Sequence, residues 1–109
     1  MGSYVLVETR DPFESAAVGD AYELAAGLAD NGDDVTIYLA QNGVLAARRA
    51  ARSAQRLGTL ATRTRVLADD FALRERGIGA DELAAGVQPS SMDELIDLVM
   101  EDGRKVIWH

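Results

Sequence analysis

Three short, nearly continuous apolar runs constrain this chain more than anything else in it. Residues 4–9, 35–40 and 64–68 are rich in β-branched, aliphatic and aromatic side chains. They lack the strict alternation of a strand with one wet face, so they read as strands covered on both faces. Helix-forming segments separate them, and strands recurring about every 30 residues imply right-handed βαβ crossovers. A very short strand at residues 87–89, where Pro89 suits a strand end, and a last one at 105–108 follow. The expected architecture is α/β, a three-layer sandwich with a mainly parallel sheet of four or five strands. One domain over residues 1–109 accommodates it.

The connections carry their own signals. Asp11 as N-cap, Pro12 in the first helical position and Glu14 in the third predict a helix start resembling a capping box. Phe13, Ala17, Ala21, Leu24 and Leu28 then form the stripe expected against the sheet, and Asn31-Gly32 ends the helix. Residues 44–57 are rich in alanine and arginine and predict a second helix, stopped by Gly58. Arg48, Arg52 and Arg56 fall on one face of it, with Arg49 beside them. A helical turn is expected at 81–85, closed by Gly86. Ser91 and Glu94 form a capping box for a helix whose apolar face is Leu95, Leu98 and Val99.

The net charge of −7 argues against nonspecific nucleic-acid binding, which needs a basic footprint. Its distribution is uneven. Residues 48–76 hold eight arginines against three acids, whereas the rest of the chain holds fifteen acids against three basic residues. Such asymmetry fits an anion site, complementary surfaces in an oligomer, or a solvated arginine face. For Arg48, Arg52 and Arg56 a subunit interface or intramolecular pairing is favoured over RNA. There is no cysteine, which excludes disulfides, thiolate metal sites and cysteine nucleophiles. No apolar run approaches the roughly 18 residues of a membrane span, no secretory leader is recognisable, and the expected location is cytoplasmic.

Functional residues are expected where strands end and helices begin. Residues 66–77 hold the best candidates: a strand ending at Asp69 and Asp70, then a short helix closed by Gly77. With parallel strands, the loops at Arg10-Asp11 and Gln41-Asn42-Gly43 join Asp69-Asp70 on one rim, forming a shallow polar pocket with Arg10 as its anion contact. Paired carboxylates there would suit acid–base work or a divalent cation. The plainer reading has Asp70 capping the helix that starts at Phe71, with Asp69 solvated or paired to an arginine. No histidine or third acid lies nearby to complete a metal set, and no glycine-rich phosphate loop is present. No metal or cofactor is expected. Ser91 is explained by capping, His109 lies at a terminus expected to fray, and Trp108 and Tyr38 read as core or interface anchors. No residue stands out as catalytic.

Taken in order, these features resemble the DsrE/DsrF-like family, which includes the DsrE, DsrF, DsrH, TusB, TusC and TusD types. The resemblance rests on the acidic-proline turn after the first strand and on Val35 to Leu39 followed by Gln41-Asn42-Gly43-Val44. It rests also on Arg76-Gly77-Ile78, Ser91-Met92-Asp93-Glu94-Leu95 and the final Lys105-Val106-Ile107. It implies a small α/β sandwich assembling into homo-trimers or hexamers, with hetero-complexes with cysteine-bearing homologues a further option. Some members pass sulfur as a cysteine persulfide; others sit in the complex without carrying it. Counting back from Arg76-Gly77-Ile78 puts Asp69 at the sulfur-carrying cysteine and Ala72 at a second one found in some members. A carboxylate forms no persulfide. The resemblance therefore implies a non-catalytic scaffold or binding subunit of intracellular sulfur relay. The alternative is a small hydrolase or ligand-binding enzyme using Asp69, Asp70 and Arg10.

Overall fold

The computed structural model describes residues 2–109. Five strands, β1 (Ser3–Glu8), β2 (Asp34–Leu39), β3 (Arg65–Asp69), β4 (Val87–Ser90) and β5 (Arg104–Trp108), form one sheet in the order β4-β3-β2-β1-β5. Every pairing is parallel, so the expected α/β sandwich is the observed one. The apolar runs are continuous because both faces of the sheet are covered. Leu6, Ile37, Leu39 and Val66 point into one core layer, and Val5, Val7, Tyr38 and Leu67 into the other.

Helices α1 (Ala17–Asp30) and α2 (Ala54–Leu60) pack in the first layer. Helix α4 (Met92–Met100) covers the opposite face through Leu95 and Leu98. The short α3 (Asp70–Glu75) sits at the C-terminal end of β3. Pro89 lies in β4, an edge strand, where a missing N–H is tolerated. No helix among the described residues is long and apolar enough to cross a membrane.

Several expectations of local structure are corrected. The Asp11–Glu14 contacts form, with Asp11 N donating to Glu14 Oε1 at 2.9 Å and Phe13 N to Asp11 Oδ1 at 3.2 Å. They close an isolated turn, and α1 begins only at Ala17 without a side-chain cap. Phe13 is left 69% exposed, and the buried stripe is Val18, Ala21, Tyr22 and Ala25. In so alanine-rich a helix two stripes fit the period, and the bulk of Val18 and Tyr22 decides which faces inward.

The helix expected over 44–57 does not form. A 3₁₀ segment, Gln41–Ala47, buries Val44, Ala46 and Ala47, and Arg48 then turns extended. Ala84 N donates to Ala47 O and Arg49 N to Glu82 O, both at 2.7 Å, with an antiparallel bridge between Arg48 and Leu83. This long-range pairing overrides helix propensity. Helix α2 starts later and runs through Gly58. The Ser91 cap is present, accepting from Glu94 N at 3.2 Å. The Glu94 carboxylate turns instead to Ser90 Oγ, 2.5 Å away, and to Arg65 at 3.0 Å.

Candidate functional site

At the C-terminal rim of the sheet, Asp69 ends β3 and is itself the N-cap of α3, its Oδ2 accepting from Ala72 N at 3.1 Å. Its Oδ1 accepts from the Tyr38 hydroxyl at 3.1 Å, and the side chain is only 4% exposed. The Tyr38 hydroxyl also lies 3.0 Å from Ser91 O, so one phenolic proton faces two acceptors. Burial first, then the neighbouring Asp69 charge, pushes the Tyr38 pKa up, which keeps the phenol a neutral donor. The capping roles expected for the two aspartates are thus exchanged. Asp70 is the first helical residue and pairs with Arg74 at 3.7 Å on the outer surface. The two carboxylates engage different partners and form no acid–base pair.

Beside Asp69 a cleft of about 340 Å³ opens onto the rim. Val7, Ala40 and Asp69 are among its buried lining residues, and Thr9, Gln41, Glu75, Phe71, Met92 and Trp108 are among the rest. Phe71, Met92 and Trp108 are all exposed, Trp108 to 65%. Trp108 thus fills no core of this chain. Gln41 adopts φ 50°, a left-handed conformation that is uncommon for a side chain of its size and stores strain at the cleft edge.

The remaining predicted rim residues do different work. Gly43 is buried where the β1 and β2 ends meet: a Cβ there would lie 2.2 Å from Glu8 O. Glycine is required by that close approach. The Asn42 Oδ1 accepts from Arg76 Nε and Nη2 at 3.3 and 2.9 Å, and Arg76 Nη1 donates to Ala72 O at 3.1 Å. Gly77 follows at φ 65°, and Ile78 N donates to Leu73 O at 2.9 Å as its side chain enters the core. The Arg76-Gly77-Ile78 sequence therefore ties α3 to the β2 loop, ends the helix and plugs the core, which are mechanical duties.

Arg10 and Asp11 do not line the cleft. Arg10 Nη2 lies 3.5 Å from His109 Nε2, and Asp11 belongs to the turn described above. His109 is docked, contrary to the expectation of a frayed end. Its N–H donates to Val7 O at 2.8 Å, and its carbonyl accepts from Thr9 N and Thr9 Oγ1 at 3.3 and 3.1 Å. Its Nδ1 lies 2.5 Å from Oε1 of Glu8, a carboxylate with no exposed surface whose Oε2 accepts from Arg10 N at 3.0 Å. Sequence reasoning missed this pair; its only local signal was an acid ending an apolar strand. No group of three metal-binding side chains occurs among the described residues.

The arginines of the expected helix face separate. Arg48 Nε donates to Leu45 O at 2.9 Å, Arg52 lies in the turn before α2, and Arg56 lies on α2 near Tyr22 and Glu23.

A sequence model of the DsrE/DsrF-like family matches residues 2–108. Among solved structures, the ychN protein from E. coli superposes with a TM-score of 0.87 at 23% identity, over 100% of both chains. MTH1491 from Methanobacterium thermoautotrophicum, described as a protein of unknown function, gives 0.86 at 20% identity, again over 100% of both. No curated protein sequence matches. At these identities the two structures speak for the fold, and the family match extends over nearly the whole chain. The chain belongs to the DsrE/DsrF-like family.

Proposed function

We propose that this chain is a non-catalytic subunit of a DsrE/DsrF-like assembly, which binds at its rim cleft and carries no sulfur. The observation behind this reading is Asp69. It stands where the resemblance puts the sulfur-carrying cysteine, and its carboxylate is buried and held by Tyr38 and Ala72. A carboxylate forms no persulfide, and each oxygen of this one already accepts a hydrogen bond.

Around it, Phe71, Met92 and Trp108 make an exposed apolar border to a floor of Val7, Ala40 and Asp69. Adjoining apolar side chains of this kind mark contact surfaces. The occupant proposed is a neighbouring copy of the same chain, in a cytoplasmic homo-trimer or hexamer linked to sulfur relay by family. A hetero-complex with a cysteine-bearing homologue would use the same surface.

Native mass spectrometry of the purified chain tests this. A trimer or hexamer is expected, with Phe71→Asp and Trp108→Asp each reducing it to a folded monomer by circular dichroism. A wild-type monomer at tens of micromolar, a concentration at which standard interfaces persist, would overturn the self-assembly reading.

A further inference from the structure

On the opposite face of the sheet from α4, α1 and α2 leave a cleft between them that shares no residue with the rim cleft. Two adjoining hollows, of about 400 and about 280 Å³, have Tyr22, Arg52 and Arg56 in common. Their size suits a small organic molecule. The second hollow is walled in part by Pro12 and the exposed Phe13, the aromatic ring that the Asp11–Glu14 turn holds off the core.

One of the two shared cations is set in place. Arg56 lies 5.4 Å over the Tyr22 ring, and its Nη2 donates to Gly19 O at 3.1 Å and stands 3.7 Å from Glu23. Its Nε and Nη1 donate to no group among the described residues. Arg52, at the same cleft, has no acceptor or carboxylate partner among the described residues. The Tyr22 hydroxyl is buried without a hydrogen-bond partner, although buried polar groups are normally satisfied. Burial and the nearby Glu8 push its pKa up, so it remains a donor. Arg63, further along, is paired with Asp30, and Arg56 keeps open N–H donors beside its contact with Glu23, so Arg52 and Arg56 supply the donors at the aromatic end.

We propose that the α1–α2 cleft binds a small organic anion with a planar apolar body, its charged head on Arg52 and Arg56 and its body against Phe13 and Pro12. The head is a phosphate ester or a carboxylate, since both present oxygens to a guanidinium fork. The planar body covers an aromatic face that is otherwise in water and stacks on it. Glu23 at the outer edge repels a second negative group, so a singly headed anion is preferred over a polyanion.

The test is an NMR titration of the full chain with 1-naphthyl phosphate and 2-naphthoate, and with inorganic phosphate and 1-naphthol as the separate halves. Each amphiphilic anion should bind at least about tenfold more tightly than either half. Shifts should concentrate at Phe13, Gly19 and the Arg52 and Arg56 side-chain Nε resonances. Arg52→Gln and Phe13→Ala, both at exposed positions, should each weaken binding about tenfold and leave the strand resonances in place. The tighter of the two anions identifies the head group. Equal binding of inorganic phosphate or of 1-naphthol overturns the proposal, as do unchanged affinity in both variants or shifts centred on Gln41 and Trp108. Only shifts at Gln41 and Trp108 would touch the assembly reading; the other results concern residues it does not use.

Discussion

The Tyr38 hydroxyl and the Asp69 carboxylate meet at 3.1 Å beneath the rim, joining the end of β2 to the end of β3. Both residues are buried, so removing one leaves the other a partner short. Tyr38→Phe should destabilise the chain by about 1–3 kcal/mol, the penalty of leaving a buried acceptor short of a donor. Asp69→Ala should cost a similar amount by losing both the phenol and the α3 cap. Urea denaturation of the two single variants and the double variant checks this, with a coupling near zero refuting the shared bond.

Alkaline pH probes the same phenol together with Tyr22. Folding raises both pKa values above the ordinary tyrosine value near 10, chiefly by burial. The unfolded chain therefore loses these protons first, and binds fewer protons than the native state once the pH passes about 10. Stability from these groups is fully present below that pH. Above it, stability should fall by about 1.4 kcal/mol per pH unit for each tyrosine. Denaturant midpoints measured from pH 8 upward should bend down near pH 10, less steeply in Tyr22→Phe.

Gln41 and Gly43 predict opposite signs two residues apart. Gln41→Gly relieves a left-handed backbone and should stabilise by about 0.5–1 kcal/mol. Gly43→Ala drives a methyl group into the Glu8 carbonyl and should cost about 3 kcal/mol. Thermal melts of both variants decide the matter; a neutral Gly43→Ala would mean that the rim loops separate easily.

His109→Ala leaves the Glu8 carboxylate buried with only the Arg10 amide as a donor. The expected loss is about 3 kcal/mol, and hydrogen exchange should quicken in β5 before any other strand. Uniform quickening across the sheet would show that β5 has no separate anchorage.

The strands were legible because coverage of both faces writes itself as uninterrupted apolarity, most plainly in Val5, Leu6 and Val7. What failed depended on partners distant in the chain. Asp69 and Asp70 are equivalent as local capping residues, and it is Tyr38, 31 positions away, that draws Asp69 inward. Residues 44–57 have a helix composition, yet Leu83 and Ala84 supply a competing backbone partner. The rim set reads as one pocket because loops at one sheet edge are neighbours. Side-chain direction then divided it, sending Gln41 and Asp69 to the cleft, Asn42 to Arg76, and Arg10 to His109.

The placement of β5 beside β1 has a consequence for how this chain is made. During synthesis β1, β2, β3 and β4 can assemble in order as each emerges, but β1 keeps an open flank of unpaired amides until residues 104–108 arrive. Its apolar core positions Val5 and Val7 face a layer that α4, also late, must close. The nascent chain therefore exposes a sticky strand edge for most of its translation. The acidic excess of residues 1–47, eight acids against one arginine, is well placed to keep neighbouring nascent chains apart during that interval.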